Sequence, residues 1–155
     1  MIVVLVLVDI MAALDGMSIV TGVQGYLFAR SSAAISEKTQ LAMVRIRQEI
    51  LDCHDCIPAS LTNLNQAIPL TSTKGFRYYN KLGERYIRFN NGSIALSSDG
   101  SNYDTLINNI SSFTMAYNVG TADKAITISL QTSETPGGVT IPAFTTKVYP
   151  RNALQ

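Results

Sequence analysis

Residues 35–58 read ISEKTQLAMVRIRQEILDCHDCIP, and the spacing of their apolar side chains decides the fold. Ile35, Ala42, Met43, Ile46, Ile50 and Cys53 fall three, four or seven residues apart, which places them on one stripe of an α-helix. Glu37, Lys38, Arg45 and Glu49 lie off that stripe. The pattern stops at Pro58, which cannot continue a helix and restrains Ile57 before it. This stretch therefore predicts an amphipathic helix with one face meant for a core.

Toward the N-terminus the same helix changes character. From Met1 to Phe28 there is no Lys or Arg, and the opening run MIVVLVLV is wholly apolar. A helix over residues 1–28 is about 42 Å long, enough to cross a bilayer core of about 30 Å. A cleaved secretory signal needs a basic start and a small-residue cleavage site. The basic start is missing, and the run passes into the helical pattern without a break. One retained helix is expected from about Met1 to Asp52. Asp9 and Asp15 interrupt the run. Each costs about 2.5–3.5 kcal/mol at the centre of a lone membrane helix. A bundle of like helices, where acids find partners and Gly16, Gly22 and Gly25 allow close approach, is the less costly environment.

Toward the C-terminus the period becomes two. Phe76 and Tyr78, Ile87 and Phe89, and Ile94 and Leu96 alternate with polar neighbours. So do Phe113, Met115 and Tyr117; Ile126, Ile128 and Leu130; and Phe144, Thr146 and Val148. Leu82-Gly83, Asn91-Gly92, Asp99-Gly100 and Pro136-Gly137-Gly138 punctuate them as turns. The expected fold class is α+β: a long N-terminal helix, apolar in its first half and amphipathic in its second, packed on a small antiparallel meander with one apolar face.

The whole chain has 155 residues, 46% apolar and 15% charged, with a net charge of +1. That balance gives nucleic acid no electrostatic attraction, and no basic-aromatic strip is present, so no nucleic-acid partner is expected.

Cys53-His54-Asp55-Cys56 is the one motif with reactive potential. A redox pair sits at a helix N-terminus, where the dipole favours thiolate; this pair falls at a helix C-terminus, where the dipole opposes it. A structural zinc needs four ligands, and the chain has two cysteines and one histidine. A structural disulfide between Cys53 and Cys56, or spectator thiols, is the plainer reading, beside metal and redox alternatives. Asp99-Gly100-Ser101-Asn102-Tyr103-Asp104 offers oxygen ligands, with Asp99 and Asp104 as calcium candidates, but the EF-hand pattern is absent and an ordinary Asp-Gly turn accounts for it. Lys74, Arg77, Lys81, Arg85 and Arg88 cluster around one hairpin, as a solvated face or a surface for an acidic partner. With His54 the single histidine and no G-x-S-x-G motif, no catalytic residue and no cofactor is assigned.

A long helix with an apolar first half and an amphipathic second half, followed by a small antiparallel sheet, resembles the type IV pilins and pseudopilins. MIVVLVLVDIMAAL, residues 1–14, is similar to the run that follows the glutamate near the start of the mature chain in that family. AMVRIRQEI in the helix, LINNISSFTMAY leading into AITISL, and the closing FTTKVYPRN resemble segments of minor pseudopilins of type II secretion. The resemblance covers nearly the whole chain, and its N-terminal motif is the most specific part. Two departures stand out: the basic leader, cleavage-site glycine, methylated phenylalanine and glutamate have no counterpart, and Asp9 and Asp15 stand where small or apolar residues are usual. The first departure carries the expectation that the natural chain begins before Met1.

The resemblance implies three segments. Residues 1–28 are the membrane or filament-core half of the helix, 29–57 the half that packs on the head, and 58–155 the antiparallel head. It implies an assembly helix read at Val4, Leu5, Val8, Met11, Ala12 and Ile19. Implied partners are other pilin or pseudopilin subunits, an inner-membrane assembly platform, and the membrane itself before assembly, with the head in the periplasm or outside the cell. A membrane-tethered periplasmic binding module that never polymerises is the rival of another class. A thiol oxidoreductase centred on Cys53 and Cys56 is a third.

Overall fold

The structure, a computed structural model, describes residues 2–53, 66–68, 70–71, 75–117 and 125–151. Helix α1 runs from Ile2 to Leu51, as the periodicity expects. The chain divides into two compact units, residues 1–36 and 37–155.

In the second unit the described residues form eight strands: β1 Gln66–Ala67, β2 Phe76–Asn80, β3 Gly83–Asn90, β4 Ser93–Ser97, β5 Asp104–Ile107, β6 Ile110–Tyr117, β7 Ile126–Thr132 and β8 Phe144–Val148. The class is α+β, and every pairing is antiparallel. The strands do not form the single meander that the sequence suggests. They form two four-stranded sheets, ordered β2-β3-β4-β5 and β1-β6-β7-β8. The division falls at Asn108-Asn109, where Asn109 adopts a positive φ of 60° and the chain leaves one sheet for the other. The Ile110 N–H donates to the Gly92 carbonyl at 2.9 Å, tying the start of β6 to the β3–β4 turn.

Turn chemistry sets the registers. Asn90 pairs with Ser93, leaving Asn91-Gly92 as a two-residue loop with φ of 48° and 70°. Two positive φ values in succession are the type I′ geometry whose twist matches the flanking strands. Strand alternation then aims one side inward: Phe76, Tyr78 and Asn80 of β2 are buried, and so are Ile126, Ile128, Leu130 and Thr132 of β7.

Both sheets share a core with the end of the helix. Ala42, Met43, Ile46, Ile50 and Cys53 join Ile87, Ile94, Phe113, Met115 and Leu130 in one buried cluster. The predicted stripe is thus the packed face, with Ile35 half-buried at its start. Burial of such side chains is worth about 1.5–3 kcal/mol each, which holds the helix end to the sheets. The helix terminus is also closed by its surroundings. The Arg151 N–H donates to the Leu51 carbonyl at 3.2 Å, satisfying an acceptor that has no partner within the helix. Lys81 and Arg151 approach Asp52 at 3.8 and 3.9 Å, and their charge also suits the negative end of the helix dipole.

Candidate functional site

The first unit is a helix without a covering layer of its own. Among the described residues, fourteen large hydrophobic side chains between Val3 and Phe28 are 40–72% exposed. They include Val4, Leu5, Val8, Met11 and Ile19 of the expected assembly helix; the Ala12 side chain lies outside the described residues. Asp9 is exposed among them. An unpaired carboxylate in such a run is tolerated in water and costly in hydrocarbon. Among the described residues no helix is long and apolar enough to cross a membrane.

The second unit holds a buried polar constellation that the spacing did not reveal. Glu49 lies off the apolar stripe and reads as a solvent-facing residue, yet it is 6% exposed. Its Oε2 accepts from the Tyr78 hydroxyl at 3.1 Å and from the Asn80 amide nitrogen at 2.7 Å, and its Oε1 meets Arg45 at 2.7 Å. A carboxylate is buried only when charge and hydrogen bonds replace its water, and here three partners do so. Two of them come from β2, about thirty positions along the chain, so no local pattern announces them. Tyr78 is raised well above its ordinary value, first by burial and then by the adjacent Glu49 carboxylate.

Beside this constellation lies a cavity of about 220 Å³ lined by Arg45, Glu49, Tyr78, Arg85 and Asp104, among others. Arg85 points inward because it alternates in phase with Ile87 on β3, and its Nε is buried with no hydrogen-bond partner among the described residues. This breaks up the expected basic surface. Arg77 pairs with Glu84 at 3.3 Å and lies over the Tyr79 ring, Arg88 stacks over Tyr103 at 3.7 Å, and Lys81 reaches Asp52. Lys74 lies outside the described residues. Among the described residues, Arg77, Lys81 and Arg88 of this cluster each make a separate local contact.

Cys53 is a buried free thiol and not half of a disulfide; His54, Asp55 and Cys56 lie outside the described residues. Cys53 is 0% exposed and belongs to the apolar core. The calcium candidates Asp99 and Asp104 differ in their surroundings. Asp99 spends its carboxylate on its own turn: Oδ1 accepts from the Ser101 and Asn102 N–H groups, both at 2.8 Å, and from the Ser97 hydroxyl at 2.8 Å. Oδ2 accepts from the Asn102 side chain at 2.7 Å. These bonds, the backbone ones foremost, hold Asp99 well below the usual carboxylate range. Asp104 is exposed at the start of β5, and no group of three His, Cys, Asp or Glu residues able to hold a metal occurs among the described residues.

Compared with family models, with curated proteins and with solved structures, the chain matches none.

Proposed function

We propose that this chain is a structural, non-catalytic subunit of a type IV pilus or type II secretion pseudopilus, a minor pilin or pseudopilin that assembles through its N-terminal helix. The observation that carries the reading is the uncovered run from Val3 to Phe28. Each such side chain contributes about 1.5–3 kcal/mol when it leaves water, so a helix exposing fourteen of them gains far more from packing against like helices than from standing alone. The second unit, with its own core, is the head that decorates the filament and chooses partners. In this reading the subunit waits at the bacterial inner membrane, its head in the periplasm, until an assembly platform adds it to other subunits.

The test is self-association of the full chain, followed by sedimentation and electron microscopy. Leu5→Asp combined with Ile19→Asp abolishes assembly while the head keeps its unfolding midpoint. A chain that stays monomeric when unsubstituted, or that assembles equally well with both aspartates, removes the filament reading and favours a tethered binding module.

A further inference from the structure

The cavity beside Glu49 lies wholly within the second unit, between the end of α1 and the inner face of the β2-β3-β4-β5 sheet. Most of its polar lining is already satisfied. Glu49 has its bonds from Tyr78, Asn80 and Arg45. The Ser97 hydroxyl donates to Asp99 Oδ1 and accepts from the Asp99 and Gly100 N–H groups. Leu96 and Leu106 supply apolar wall. Two charged side chains that line the same space differ from these. Arg85 of β3 and Asp104 of β5 make no salt bridge among the described residues, with each other or with anything else.

The strand registers explain why these two do not meet. Arg85 stands opposite Tyr78, whereas Asp104 stands opposite Leu96, which stands opposite Ile87. Asp104 is therefore two strands away from Arg85 and one inward-facing row out of line. Neighbouring strands lie about 4.8 Å apart, which separates the two backbones by about 10 Å across the sheet. The Arg45–Glu49 pair cancels its own charge. What remains facing the cavity is one cation and one anion, held apart. The Arg85 Nε–H is buried without an acceptor, an arrangement that is costly until an acceptor arrives. Nε and the neighbouring terminal nitrogen of a guanidinium form a planar fork that matches the two oxygens of a carboxylate.

We infer that this cavity binds a small zwitterion of the amino-acid type, its carboxylate on the Arg85 fork and its ammonium toward Asp104. The inference concerns the head alone and does not rest on the filament reading. The volume of about 220 Å³ falls below the roughly 300–1,000 Å³ of sites for drug-sized molecules, which limits the ligand to a few heavy atoms. Charge selects among such ligands. A phosphate brings a second negative charge against Glu49 and Asp104, which is repulsive. A simple carboxylate leaves Asp104 without a cation, and a simple amine leaves Arg85 without an acceptor. Only a molecule carrying both groups answers both side chains. Entry is from solvent, because Arg45, Ser98, Asp104 and Thr105 are exposed while Glu49, Tyr78 and Ser97 are buried.

The experiment titrates the full chain with glycine, β-alanine, 4-aminobutyrate, butyrate and butylammonium, followed by ligand-observed NMR. The best of the three zwitterions binds at least about tenfold more tightly than butyrate or butylammonium. Arg85→Gln weakens that zwitterion by at least about tenfold, and Arg85→Lys, which keeps the charge and loses the fork, restores only part of it. Asp104→Asn brings the zwitterion down to the affinity of butyrate and leaves butyrate itself unchanged. Urea unfolding of each variant checks that the head is folded. Asp104→Asn alters an exposed side chain, so it still decides the matter if both Arg85 variants fail to fold. Saturable binding of none of the five ligands assigns the cavity to water and overturns the inference. Equal affinity for butyrate and the best zwitterion overturns it as well, as does zwitterion binding that is unchanged in folded Arg85→Gln or in Asp104→Asn.

Discussion

The Tyr78 hydroxyl donates to Glu49 Oε2 at 3.1 Å, joining a helix and a strand through a carboxylate that is 6% exposed. The bond is one of three that replace the water Glu49 gave up, and the balance among them sets the consequences of removing each.

Glu49→Ala leaves the Tyr78 hydroxyl and the Asn80 amide buried without their acceptor, and it destabilises the head by about 2–4 kcal/mol. Tyr78→Phe removes a single donor while Asn80 and Arg45 remain, and it costs about 1 kcal/mol. Arg45→Ala costs less still, because its side chain is 51% exposed and screened by solvent. Urea unfolding followed by tyrosine fluorescence reads all three, since the chain has no Trp and seven Tyr. A Glu49→Ala midpoint no lower than that of Arg45→Ala would show that the buried hydrogen bonds do not stabilise the head.

Tyr78 also makes the head sensitive to alkali. Its folded value is raised above the ordinary 10, so the stability it contributes is complete below about pH 10 and is lost as pH rises toward the raised value. Tyrosinate absorbance should rise in two stages, with Tyr78 ionising only when the head unfolds. In Tyr78→Phe the second stage loses one tyrosine. Ionisation of every tyrosine in one ordinary step, with the head still folded, contradicts this.

Asp99 acts in the opposite pH range. Its folded value is depressed, so its contribution is present above the ordinary carboxylate value near 4 and is lost as pH falls toward the depressed one. Asp99→Ala therefore lowers the unfolding temperature at neutral pH, and the gap from the unsubstituted chain narrows as acid protonates Asp99. Asp99→Asn keeps part of the turn, because an amide oxygen also accepts from the Ser101 and Asn102 N–H groups. A gap that stays constant with pH rules out the carboxylate as its source.

Gly75 precedes β2 with a φ of 67°, and a Cβ there would collide with the Ile87 carbonyl of the neighbouring strand. A backbone carbonyl within a sheet cannot swing aside as a flexible side chain does. Gly75→Ala is expected to cost about 2–4 kcal/mol, combining left-handed strain with a shifted β2–β3 register. Exchange protection of the β2 amides falls with it, and unchanged protection would argue against the collision.

Cys53 should be silent toward maleimide in the native chain and react only at the global unfolding rate, as a thiol 0% exposed in the core does. A Cys56→Ser background isolates its signal. Rapid labelling under native conditions would instead mark an accessible, reactive thiol.

The sequence made the local structure legible and the long-range choices illegible. The helix from Ile2 to Leu51 and the Asn91-Gly92 hairpin follow from spacing and turn chemistry, which act between near neighbours. Met43, Ile46 and Ile50 declared themselves by a 3.6-residue period that any core imposes. The split into two sheets did not, because alternation says which face is buried and not which strand lies alongside. Glu49 was misleading for a similar reason: its charge signals solvent until Tyr78 and Asn80 arrive from another element. Arg85 and Arg88 look like one basic cluster in sequence, yet three positions on a strand put them on opposite faces.

The pairing of Gln66 with Tyr117 has a consequence for how the head is made. Strands β2 to β5 are joined neighbour to neighbour, so that sheet forms from contacts close in sequence and should appear early. Strand β1 lies before it in the chain and its partner β6 after it, so joining β1 to β6 closes a loop around the finished sheet. Closing a loop of that length costs about 3.5 kcal/mol of chain entropy plus a constant, against a strand of which Gln66–Ala67 are the described residues. The head is therefore expected to fold from the inside outward, with the β1 seam the last to close and the first to open.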